Sequence, residues 1–286
     1  SAAKFTATIR AKLGDSSKKE CIVYLDNAEF EKVTFATGTD EVTALKDAFA
    51  SSKNFVVDTS GATGAITSVS QAAFADGTDP TVTNADYSAA LKEVEKYYFN
   101  TICVDTEDGA VHALVAAFLN RIYLAGSFGM AVMSPDPSAA LEERQTTISS
   151  FDAENVIGVL NANASTGDET LKGYQVAAYI AGIVAATSAK QSVTHTTLSR
   201  YSVLNEILTN TEMENAEEKG CLVISVASDG AVWLDNDINT LIHLDADHDS
   251  GWKKIRRTKT RYELLYRANA AADALVNSTD VAYTDE

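Results

Sequence analysis

The residues able to do chemistry fall into a few clusters. Phe99-Asn-Thr-Ile-Cys-Val104 reads as a strand that runs into Asp105-Thr-Glu-Asp-Gly109, with His112 on the helix that follows. A carboxylate and an imidazole so placed could do general acid–base work. A Ser-His-Asp hydrolase also needs an exposed serine on a tight strand-to-helix elbow. The nearest serine motif, Gly126-Ser-Phe-Gly129, is not G-x-S-x-G and precedes a strand instead of ending one. Asp105 is therefore expected to be a loop carboxylate or helix cap, and His112 an ordinary helix residue. No catalytic residue is assigned.

Two acidic runs have the alternation of a calcium loop. An EF-hand needs glycine sixth and glutamate twelfth. Counted from Asp245 those positions are Ser250 and Arg256, and from Asp235 they are Thr240 and Ala246. Both runs fail, so they read as solvated loops or acid clusters facing a partner. Gly61-Ala-Thr-Gly64 lacks the Lys-Ser/Thr ending of a phosphate loop. The histidines at 112, 195, 243 and 248 show no i, i+4 pair, so no zinc site is expected. No cofactor is implied.

One cluster stands out by charge. Residues 201–250 hold eleven acidic side chains and one basic, whereas residues 251–267 hold seven basic and one acidic. If the basic run is helical, Ile255, Tyr262, Leu265 and Ala272 line one side. Lys253, Arg257 and Arg261 then make a stripe on another. Such a stripe can be a solvated face, or can pair internally with the acidic region. It can also bind nucleic acid or an acidic membrane, or dock onto an acidic protein.

The elements that must position these clusters change character along the chain. Phe5–Arg10, Glu20–Leu25 and Glu31–Phe35 are β-rich runs separated by turn residues, and Val42–Phe49 suits a short helix. Phe55-Val-Val and Ala65–Val69 resume the strand pattern. Together these predict a β-sandwich module over 1–78. Asp76-Gly-Thr-Asp-Pro80 marks its boundary.

Helices are predicted over 86–97 and through the Val111, Leu114, Val115, Phe118, Leu119, Ile122 repeat, with a third over 171–189. They alternate with strands at 99–104, 129–133 and 156–160, which predicts an open parallel sheet over 79–200. Beyond 200, Thr211-Glu-Met-Glu214 has capping-box spacing and Gly220 suits a helix stop. Cys221–Val226 and Ala231–Leu234 flank a hairpin turn. Residues 201–286 are read as a partial α+β domain.

The chain has 286 residues, 45% hydrophobic and 22% charged, with a net charge of −17. That is a folded composition, and the acidity argues against a wholly basic nucleic-acid binder. Cys21, Cys103 and Cys221 are far apart and are expected to be buried, reduced thiols. No signal peptide is visible, and Val176–Thr187 is too short to span a bilayer. No membrane partner is expected.

Three segments resemble the tail sheath family of contractile phages and phage-like bacteriocins, of the Firmicute-prophage type. The first is Asp76-Gly-Thr-Asp-Pro-Thr-Val-Thr-Asn-Ala-Asp-Tyr87 leading to Phe99-Asn-Thr-Ile102, with Asp76 and Pro80 where glycines are usual. The second is Gly173–Thr187 followed by Gln191-Ser-Val-Thr194. The third joins Asp229-Gly-Ala-Val232, Asp237-Ile-Asn-Thr-Leu241 and Lys253–Arg261. The resemblance implies a subtilisin-like topology without catalysis for the middle domain. It also implies a structural subunit of a virion tail that polymerises around a tail tube and contracts. The family's N-terminal domain and arm, and further C-terminal helix and strands, do not appear in this sequence. Neighbouring sheath subunits and the tube protein are the implied partners; nucleic acid is not. Lys253, Lys254, Arg256, Arg257, Lys259 and Arg261 are then expected to face the tube. A soluble α/β hydrolase-like enzyme and a nucleic-acid binder using the basic stripe are the alternatives.

Overall fold

The computed structural model describes residues 5–75, 81–167 and 169–276. The chain divides into two compact units, Ser1–Thr81 and Val82–Glu286. The boundary signal at 76–80 lies outside the described residues.

The first unit is an antiparallel sheet, in the order β3-β2-β1-β4, from β1 (Phe5–Lys12), β2 (Asp15–Leu25), β3 (Ala28–Ala36) and β4 (Val69–Ala73). Asp26 and Asn27 both take positive φ, 48° and 68°, as the tight turn between β2 and β3 requires. The helix α1 (Glu41–Ala48) packs Leu45 against Cys21, Val23 and Phe35. Its buried Glu41 accepts from Lys19 Nζ at 2.7 Å and from the Ile66 amide at 2.7 Å.

The predicted sandwich does not form among the described residues, because one sheet is backed by a helix and a loop. The expected strand at Phe55 is part of that loop. Ser52 Oγ accepts from the Phe55 amide at 3.0 Å. The Phe55 ring meets Phe5, Phe30, Phe49 and Phe74 at 5.5–6.3 Å. Aromatic packing holds the segment where a strand ladder was expected.

The second unit is mixed α/β. It begins with α2 (Asn84–Val94), β5 (Thr101–Ile102), α3 (Gly109–Leu124), β6 (Met130–Met133), α4 (Leu141–Ser149) and β7 (Val156–Val159). Then come β8 (Ala164–Thr166), β9 (Glu169–Thr170), α5 (Gly173–Ala186), β10 (Val203–Leu204), α6 (Asn210–Glu218) and β11 (Cys221–Leu222). The unit closes with β12 (Ile224–Val226), β13 (Val232–Leu234), a 3-10 turn (Ser250–Lys253) and α7 (Ile255–Val276).

Strands β11, β7, β6 and β5 form a parallel sheet in that order, as the alternation of elements predicts. β8 to β10 and the β12–β13 hairpin are small antiparallel pieces. The predicted hairpin strand at 221–226 is divided: Cys221 and Leu222 join the parallel sheet, and Ile224–Val226 pairs with β13.

Met-Ala-Val-Met of β6 is buried on both faces, which suits a covered parallel strand. Met130 and Val132 join Val176, Ala177, Ile180 and Val184 of α5. Ala131 and Met133 point the other way, to Val115, Phe118, Leu119 and Ile122 of α3. The cysteines are free; Cys21 and Cys221 are buried, and burial pushes the Cys221 thiol up to about 12.

Candidate partner-binding face

In a parallel α/β sheet a ligand commonly sits beyond the carboxyl ends of the strands. Here the chain fills that place itself. Glu107 Oε1 accepts the Gly173 amide at 2.6 Å, so an internal carboxylate already occupies the positive end of α5. A Cβ built at Gly173 would stand 2.9 Å from Ser134 Oγ and 3.0 Å from the Pro135 carbonyl, so α5 begins in close contact with the end of β6. His112 is buried, its Nε2 lies 2.9 Å from the Thr106 carbonyl, and burial lowers its pKa. Asp105 accepts from Tyr87 Oη at 2.8 Å, and Asp108 is the residue that caps α3. Ser127 lies before β6, at the opposite end of that strand.

Among the described residues no group of three or more His, Cys, Asp or Glu is placed to hold a metal. The acidic run at 235–239 departs from its expected solvation. Asp237 and Asn239 are buried: Asn239 Nδ2 donates to the Trp252 carbonyl at 2.8 Å and to Thr258 Oγ1 at 3.3 Å. Burial raises the Asp237 pKa, and one of its oxygens lacks a partner. These residues build the seat of α7. In the 245–249 run the three aspartates are exposed and His248 is half-buried, its Nδ1 on Asp245 and its ring against Trp252.

The basic run has two parts. Lys253 ends the 3-10 turn and Lys254 precedes the helix, so neither continues a stripe along α7. Lys254 Nζ is 3.4 Å from Glu217, the internal pairing with the acidic region considered above. Lys259 is half-buried and donates to the Val184 and Thr187 carbonyls at the end of α5, where a cation meets the negative end of the helix. Burial lowers its pKa.

Arg261 pairs with Glu154, and its guanidinium lies 3.6 Å over the Trp252 ring. With its side chain 21% exposed, it departs from the expected open position. Of the expected apolar side, Ile255 and Tyr262 are buried, Leu265 is half-buried and Ala272 is exposed. Arg256 and Arg257 are exposed, with Asp249 3.5 Å from Arg257. Together with Lys190, Trp252 and Arg261 they line a cleft of about 540 Å³.

Glu154 and Trp252 were not singled out for these contacts by sequence. Glu154 lies 107 residues from Arg261, and no spacing rule connects them. No helix of the described residues is long and apolar enough to cross a membrane.

The family model described as phage tail sheath protein central domain matches residues 80–240. The chain is 26% identical over 283 residues to the protein YqbK of Bacillus subtilis strain 168, covering 95% of this chain and 58% of that one. A sheath tail protein from Desulfitobacterium hafniense superposes with a TM-score of 0.73 at 24% identity, covering 95% of this chain and 60% of the other. The contracted helical sheath of the anti-feeding prophage gives a TM-score of 0.54 at 12% identity, covering 72% and 56%. The chain thus spans 58–60% of the length of the first two proteins it is similar to.

Proposed function

The chain belongs to the phage tail sheath protein family, and on that premise we propose that it is a structural subunit that polymerises around a tail tube. Contraction of that polymer would drive the tube through a bacterial envelope. The observation that carries the reading is the central-domain match over 80–240, together with a fold similar to sheath subunits.

In this reading residues 79–200 are the sheath core, of subtilisin-like topology without its chemistry. Residues 1–78 are an added module, and 201–286 belong to the C-terminal domain. The subunit is not an enzyme, a reading supported by the match to a structural-protein family and by Glu107 already holding the amide end of α5. Its partners are neighbouring subunits and the tube protein, in a virion tail assembled in a bacterial cytoplasm.

The tube contact is assigned to the basic run. Lys253, Arg256 and Arg257 present charge, while Lys254, Lys259 and Arg261 hold α7 in place. A sheath must grip its tube and later let it go, and charge-assisted contacts suit this because water and ions replace them. One exposed pair contributes about 0–1 kcal/mol, but repetition over many subunits makes the grip large.

Co-expression with the tube protein should give decorated tubes by negative-stain electron microscopy. Arg256→Glu with Arg257→Glu should leave the melt nearly unchanged and strip most of the decoration. Normal decoration would place the contact elsewhere, and an unfolded variant would make both arginines part of the fold.

A further inference from the structure

Three helices of the second unit are seated in different ways. α3 buries Val111, Val115, Phe118, Leu119 and Ile122, and α5 buries Val176, Ala177, Ile180, Ala181 and Val184. Those are dry apolar seats. α7 has 22 residues, yet its buried ones are Ile255, Thr258 and Tyr262, all within its first eight positions. From Glu263 to Val276 every residue except Leu265 is exposed.

Past its first turn the helix is held by two aromatic contacts, Tyr262 in the core and Tyr266 4.8 Å from Tyr98, and otherwise by polar ones. Lys259 donates to the Val184 and Thr187 carbonyls, and Thr260 Oγ1 to the Ala189 carbonyl at 2.7 Å. Glu154 takes both Arg261 and, at 3.2 Å, the Tyr262 hydroxyl. Water can replace each of these bonds at small net loss, unlike a dry contact.

The closed arrangement is also imperfect. Arg261 Nε is buried without a partner, as is one oxygen of Asp237 at the root of the helix. Beneath α7 a cleft of about 410 Å³ remains, reaching from Tyr98 and Thr101 to Val184 and lined by Lys259, Tyr262 and Tyr266 of the helix. The helix therefore lies over a gap. Few buried apolar contacts and many replaceable polar ones are the marks of an element that opens on its own.

We infer that α7 is a separately opening strut that pivots about Ile255 when the Glu154–Arg261–Tyr262 and Lys259–α5 contacts let go, while the parallel sheet stays folded. Ile255 is fully buried, and the Asn239 bonds to Trp252 and Thr258 hold the root, so the pivot is fixed. Tyr262, packed 5.5 Å from Phe128 and 5.9 Å from Tyr123, is the main apolar contact given up. The motion gives the subunit a second outline without unfolding its core. It does not depend on what Arg256 and Arg257 bind.

Released from its seat, the helix beyond the pivot frays, because an unpacked helix of this length is marginal in water. Amide hydrogen exchange read by mass spectrometry tests it, comparing peptides over 259–263 with those over β6 and β7. In the wild type the 259–263 amides should exchange at least about 100-fold faster than the strand amides. Glu154→Gln should speed them a further ~10-fold and leave β6 and β7 unchanged, and Lys259→Met should act in the same sense. Exchange over 259–263 as slow as in the strands would overturn the inference, as would equal acceleration of helix and strands by both variants. If α7 opens but the Arg256/Arg257 reversal leaves tube decoration intact, the strut stands and the tube-facing assignment fails.

Discussion

Arg144→Met is expected to lower the melting temperature of the second unit by on the order of 10 °C, a loss of about 3 kcal/mol. The Arg144 side chain is 2% exposed at the carboxyl end of β7. It forks onto Glu206, with Nη1 2.8 Å from Oε2 and Nη2 2.5 Å from Oε1. It also donates to the Leu160 carbonyl at 2.7 Å and the Ala139 carbonyl at 3.0 Å. Methionine fills much of the volume but leaves two carbonyls and a carboxylate without their donor. Two effects oppose here. Apolar burial gains a little, and orphaning a charge costs more.

Glu206 is 26% exposed, so water recovers part of the loss, and the low end of the range for a broken buried pair applies. Glu206→Gln added to Arg144→Met should restore some stability, because no unpaired charge then remains. Calorimetry of the single and double variants reads both steps. A single variant melting within about 2 °C of wild type would show that this fork holds nothing together.

No pattern in the sequence announces that fork. Arg144 sits in Leu-Glu-Glu-Arg-Gln, which reads as a solvated helix face, and Glu206 is 62 residues away. Local periodicity reports which face of a helix is apolar, and it located α3, α5, β6 and β7. It does not report which charges meet across the fold. The basic run shows the limit well. Its sign was legible, but Lys259 is held by main-chain carbonyls, which no side-chain pattern can display.

The start of α6 failed differently. Thr209 and Thr211 both have glutamate three residues on. The structure uses Thr209 with Glu212, the Thr209 amide donating to Glu212 Oε2 at 2.8 Å, and this register turns Ala216 into the core beside Leu208. Packing decided between two equal capping signals. The run holding Asp237 and Asn239 reads as a solvated loop or a partner-facing cluster, because carboxylates and amides are usually exposed. These two are buried because the turn before α7 needs acceptors and donors there.

Gly220 was legible for one of its two reasons, and the second sets the size of its effect. It follows the Lys219 cap of α6 with φ of +73°, the left-handed conformation of a helix stop. Alanine there is strained by about 1–2 kcal/mol. A Cβ at Gly220 would also stand 2.9 Å from both the Cα and the carbonyl oxygen of Thr240. Thr240 is fully buried and its amide donates to the Val156 carbonyl at 2.9 Å, so this backbone cannot give way. Crowding adds roughly 1–3 kcal/mol, and Gly220→Ala is expected to cost about 3 kcal/mol in all. Gly230 separates the two causes. Its φ is +86°, yet a Cβ there meets nothing within 4 Å. Gly230→Ala should therefore show the strain alone, about 1 kcal/mol. Gly182 sets the baseline: it lies on an exposed turn of α5 in open space, and Gly182→Ala should stabilise by about 0.5–1 kcal/mol. Urea unfolding of the three variants orders them. If Gly220→Ala costs no more than Gly230→Ala, the Thr240 segment moves freely, and the close approach of Gly220 to Thr240 does not hold the fold together.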